Sequence, residues 1–132
     1  MTGEPMSRPL IPARVYQPGE DITAEVTTAP VVAHKFVKPS GNRTAGGNLA
    51  VTIAAAGDRP LGVAAESAAV GKLVHIARGG VIRVVAAGSI SAGAAVQVGT
   101  GGAASTADAG VVVGIAVTGA SDGALAEIAC YA

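Results

Sequence analysis

The side chains from which this chain could build an active centre are two histidines, one cysteine and nine acids. His34 and His75 stand 41 residues apart, and neither has a second His or Cys at metal-ligand spacing. His75 alternates with Val74 and Ile76 in "KLVHIA", which makes it a solvent-facing or satisfied polar residue rather than a ligand. Cys130 is alone, so it forms no intrachain disulfide, and it has no nucleophile context around it. "VGTGG" at 98–102 has the outline of a phosphate loop but lacks the Lys-Ser/Thr that would hold phosphate and metal. The acids Asp58, Glu66, Asp108, Asp122 and Glu127 are scattered one by one through loops and strands. No catalytic constellation, metal site or cofactor site is expected, and the chain does not read as an enzyme.

The elements that carry these residues are equally plain. Half of the 132 residues are hydrophobic, yet Tyr16, Phe36 and Tyr131 are the only aromatics. A single domain's core must therefore be built from Ala, Val, Ile and Leu, and stability should draw on contacts between subunits. Nine basic and nine acidic residues cancel, which argues against a nucleic-acid partner. The uncharged run from Val84 to Ala107 is long enough to cross a bilayer, but its Gly, Ser and Thr suit turns and strands, so no membrane partner is expected. The N-terminus has no basic stretch followed by an apolar one, and no signal peptide is expected.

Six of the seven prolines fall within the first 39 residues. Proline lacks an amide hydrogen and fixes φ, so residues 1–40 read as an extended Pro-rich arm and residues 41–132 as a β domain. Pro9, Leu10, Ile11, Pro12, Val15 and Tyr16 set apolar side chains between prolines, which a purely solvating tail would not need. These six are the candidate contact residues of the arm. Within it "DITAEV" and "VVAHKFV" have strand composition. An acidic group (Glu20, Asp21, Glu25) and a basic one (Lys35, Lys38, Arg43) could set register between neighbouring strands or subunits.

From residue 48 the chain breaks into short β-rich runs punctuated by Gly: 49–54, 61–66, 72–77, 81–86, 94–99, 111–117 and 124–131. That is the signature of a small all-β barrel or sandwich of short strands. "ARGGVIRV" reads as a hairpin turning at Gly79–Gly80, and "ESAAVG" (66–71) as one helical turn. The chain also repeats itself. Residues 60–77 and 112–129 share Gly62/Gly114, Ala64/Ala116, Gly71/Gly123, Leu73/Leu125 and Ile76/Ile128 at a constant offset of 52. Upstream, "LAVTIAAAGDRPLGVA" lines up with "AAVQVGTGGAASTADAGVVVGIA" if the second loop is longer. An internal two-fold repeat is too short for a solenoid and predicts two like units facing each other.

The order of these stretches resembles the capsid decoration (cement) proteins of tailed bacteriophages. Tyr16 with Pro18-Gly19, "GVA" at 62–64, Gly71 before a strand, "GGVIRV", "SISAGAAV" and "GASDGALAEI" carry the likeness, from about residue 15 onward. The resemblance implies a β domain on the outer capsid surface of a virion, usually a homotrimer. It also implies an N-terminal arm that contacts the major capsid protein and neighbouring subunits, and no catalytic residues. Residues 1–14 lie outside the pattern. Two other readings stay open: a small β carrier or ligand-binding domain, and a phage tail or baseplate component. A carrier would need an exposed Lys at a hairpin tip, whereas Lys72 begins a strand and no Lys follows it.

Overall fold

The structure, a computed structural model, describes residues 11–131. Its strands are β1 (Ile22–Val26), β2 (Phe36–Pro39), β3 (Leu49–Ile53), β4 (Gly62–Ala64), β5 (Leu73–Ala77), β6 (Gly80–Val85), β7 (Ala95–Val98), β8 (Ala104–Thr106), β9 (Val112–Thr118) and β10 (Leu125–Cys130). One turn of 3₁₀ helix, Thr100–Gly102, precedes β8. Alternation of small apolar and polar residues makes these segments strands. Along β5, Leu73 and His75 face out while Val74 and Ile76 are buried. The architecture is all-β, as the sequence pattern implies.

Strands β1, β3, β2, β4 and β5 close into a barrel in that order, and β6, β10, β9, β7 and β8 form a second sheet. The second sheet repeats the barrel. Val63 opposite Ala77 and Ala64 opposite Ile76 become Ile115 opposite Ala129 and Ala116 opposite Ile128. Likewise Ile22 opposite Ile76 becomes Ile82 opposite Ile128, and Val37 opposite Gly62 becomes Val96 opposite Gly114. The parallel seam that closes the barrel, β1 on β3, survives in the second unit as one parallel bridge between Ala86 and Ala104.

The shared glycines have a packing cause. A Cβ on Gly62 would lie 2.5 Å from the Ala77 carbonyl oxygen, and one on Gly114 would lie 2.3 Å from that of Ala129. Both glycines let the strand opposite come close.

Several expectations need correction. The upstream repeat alignment pairs β3 with β7, whereas the topology makes β2 the counterpart of β7 and β3 that of β8. The first copy therefore begins at β1, and residues 22–39 belong to the barrel rather than to an extended arm. Proline content misleads there because Pro30 lies in a connection and Pro39 ends β2, where a missing N–H interrupts little of the ladder. "ARGGVIRV" is not a hairpin: β5 pairs with β1 and β4, and β6 with β10. Gly79 and Gly80, at φ 68° and 69°, carry the chain from the barrel to the second sheet. "ESAAVG" forms no helical turn, because the Ala68 N–H and C=O bond across to Val31 at 3.1 and 3.0 Å. Ile90 and Ala120 do the same in the second unit. β8 lies in a stretch that reads as loop by its Gly and Ser content.

Each unit has its own apolar interior. Ile22, Ala24, Val37, Val51, Val74 and Ile76 fill the barrel. Their counterparts Val84, Val96, Ala104, Ala126 and Ile128 fill the second unit. Phe36, Ala54 and Val63 belong to barrel strands or follow them, yet they pack into the second cluster and form the seam between the units.

Candidate functional site

Among the described residues, the N-terminal segment is held to the barrel around Arg78. Its Nε donates to the Glu20 carbonyl at 2.6 Å and its Nη2 to the Gln17 carbonyl at 3.1 Å. Its guanidinium carbon stands 6.0 Å from the centre of the Tyr16 ring, and Tyr16 also packs against the barrel core. The Arg78 backbone N–H and the His75 ring share the Asp21 carboxylate, at 3.2 and 3.0 Å. The His75 hydrogen bond, followed by the Arg78 N–H, holds the Asp21 carboxyl below its ordinary value. Glu20 closes the turn by accepting the Gln17 N–H at 2.7 Å.

Beyond this root residues 11–15 lie in solvent, with Ile11 88% and Val15 69% exposed. Of the candidate arm residues, Tyr16 is half-buried at the root, while Ile11, Pro12 and Val15 are exposed. Pro9 and Leu10 lie outside the described residues. Arg78 is the residue that sequence reasoning missed. It follows a strand directly and carries no motif, and only folding brings it against residues 57 to 62 positions earlier in the chain.

The charge blocks do not pair with each other among the described residues. β3 lies between β1 and β2, so the two blocks are not on neighbouring strands. Instead Glu25 accepts from Asn48 at 3.2 Å, Arg43 donates to the Gly47 carbonyl at 2.9 Å, and Lys38 meets Asp58 at 2.7 Å. The Lys38 hydrogen bond and then the Ala55 N–H hold the Asp58 carboxyl low. His75 is solvent-facing and satisfied by Asp21, as its alternation predicts.

A second feature lies where the two units meet. A groove of about 480 Å³ is walled by Val63, Ala77 and Val81 and rimmed by His34, Arg83 and Glu127. His34 has a positive φ of 64°, in the place where the second unit has Gly93 at 87°. That conformation costs a side-chain-bearing residue about 1–2 kcal/mol. It aims the His34 carbonyl at the Val85 N–H (2.9 Å) and the ring Nδ1 toward the Arg83 carbonyl (3.3 Å). Arg83 and Glu127 face each other loosely across the rim, at 3.9 Å.

Neither place assembles reactive groups. Among the described residues no three His, Cys, Asp or Glu side chains gather as a metal site would require. The Cys130 thiol is partly buried and burial pushes its pKa up to about 11, which leaves it a poor nucleophile. What the surface offers is an anchored, solvent-exposed segment and an apolar groove.

The sequence matches the family described as phage cement protein over residues 16–130. No curated protein matches it. The fold is similar to that of the head fiber gp8.5 N base in bacteriophage phi29, with a TM-score of 0.72 and 24% sequence identity. That alignment covers 84% of this chain and 92% of the other.

Proposed function

Because this chain belongs to the phage cement protein family, we propose that it decorates the outside of the phage head and strengthens it by bridging subunits of the major capsid protein. A structural role in the capsid follows from the family. The observation that supports bridging is the arm: a segment with exposed Ile11 and Val15, leaving the barrel at a root fixed by Arg78. A fixed root limits the directions the segment can take and lowers the entropy lost when it binds. Apolar side chains and free main-chain groups of such a segment then supply contact area and hydrogen bonds without any special chemistry.

The decoration unit in this reading is a homotrimer. Exposed apolar residues on the second unit give it material for self-association. Val81 lies opposite Ala129, Ala129 opposite Ile115 and Ile115 opposite Ala95, so one row crosses four strands. In the barrel the matching row, Ala77–Val63–Phe36, is the one that meets the second unit at the seam.

The test is direct. Undecorated heads are incubated with the parent protein or with the double variant Leu10→Ala, Ile11→Ala, then pelleted and heated. The parent should bind and raise the bursting temperature, and the double variant should bind more weakly. Changing salt from low to physiological should alter binding little, since net charge is zero. Heads that burst at one temperature with and without the protein would overturn the cement reading.

A further inference from the structure

Strand β6 pairs along its length with β10 alone, and just past its end the parallel bridge from Ala86 to Ala104 of β8 covers the outward side beside Val85. Ala86, just past its end, turns its N–H to Ala124 of the β10 side, at 2.8 Å. By alternation the even-numbered residues of β6 face β10 and the odd-numbered ones face away. Among the outward groups, His34 takes the Val85 N–H through its carbonyl and meets the Arg83 carbonyl with its ring. The Arg83 N–H and both backbone groups of Val81 have no partner among the described residues. The stretch left open, at Val81 and the Arg83 N–H, lies on the groove walled by Val63, Ala77 and Val81. An unpaired strand edge beside an apolar wall is where an extended segment adds as a further strand.

We propose that the β6 edge accepts the Ile11–Val15 segment of a second copy of this chain. The segment's pattern fits the site. Proline cannot donate to a ladder, and here Pro12 falls between Ile11 and Ala13. Ile11, Ala13 and Val15 can therefore all turn their N–H groups to one neighbour while Pro12 turns away from it. In paired positions their side chains share the face of Val81 and Arg83, so an apolar side follows the apolar wall. In its own chain the segment stays in solvent, with Ile11 88% exposed. Each copy thus carries a donor segment and an acceptor edge. Such a contact is heterologous and closes into a ring where the rotation allows. The proposal rests on the arm reading above and names the surface that receives the arm.

Two forms of the full chain, distinguished by a tag and both carrying Cys130→Ser, test it. One carries Ala13→Cys and the other Arg83→Cys. Mixed and treated with a short bis-maleimide, they should give the mixed dimer in excess over either like dimer. Adding Ile11→Asp to the first form should abolish that product; this change sits in solvent and leaves the fold intact, as a thermal melt will verify. An absence of mixed dimer would overturn the proposal. A single chain bearing both cysteines that cross-links to itself at high dilution would also overturn it, in favour of the chain's own arm. Head binding by the parent is measured in parallel. Binding without mixed dimer rejects only this contact, whereas mixed dimer without head binding supports the contact and rejects the cement reading.

Discussion

Replacing Phe36 by alanine removes the one aromatic ring at the seam between the two units. The ring is 1% exposed and packs into the second unit's core although it belongs to a barrel strand. It already borders a small void of about 20 Å³ shared with Leu61, Ile82 and Cys130. The strands around it are held by ladder hydrogen bonds on either side, so the space left by the ring cannot close fully. A Phe→Ala change at such a site costs about 3–5 kcal/mol. Set against a total stability of about 5–15 kcal/mol, that is a large share. For a chain of this length the melting temperature should fall by roughly 10–15 °C. Urea unfolding followed by circular dichroism, together with calorimetry, measures it. The weakened seam should also split one transition into two, one for each unit. The counterpart Ala95 is exposed, so Ala95→Phe should change stability by less than about 0.5 kcal/mol. A loss under about 1 kcal/mol for Phe36→Ala would show that the seam does not depend on the ring and would refute the reasoning.

Gly62→Ala and Gly114→Ala should each destabilise by about 1–3 kcal/mol in urea titration, because a Cβ collides with the opposite strand's carbonyl. Gly41→Ala, with nothing within 4 Å, should be nearly neutral. Asp21 is held below 3.8 by His75 and Arg78, so its contribution to stability exists above that value and is lost as pH falls through the lower folded value. The melting temperature of Asp21→Asn should therefore lie below the parent's near neutral pH and converge with it in strong acid; a gap that persisted there would contradict this account. The Cys130 thiol, pushed up to about 11, should react with a disulfide reagent far more slowly in the folded protein than in urea at the same mildly alkaline pH. Equal rates would mean that the thiol is not shielded by burial.

Much of this protein was legible without a fold. Scarce aromatics, short alternating runs and frequent Gly specify strands of small residues, because a strand needs only a period of two and a turn at each end. The repeat was legible as well, since Gly62 and Gly114 meet the same steric demand and Ile76 and Ile128 fill the same interior position. Local patterns could not say which strands pair. Gly79–Gly80 has the residues of a hairpin turn, yet the strands on either side join different sheets, because pairing depends on partners up to 54 residues away. Proline counting assigned β1 and β2 to an arm, because composition averages over residues whose backbone roles differ. Arg78 and the open edge of β6 carry no sequence signal at all. The first takes its meaning from carbonyls brought to it by closure of the barrel. The second exists because β6, unlike a strand inside a sheet, has a partner on one side only, and the tertiary structure alone decides that.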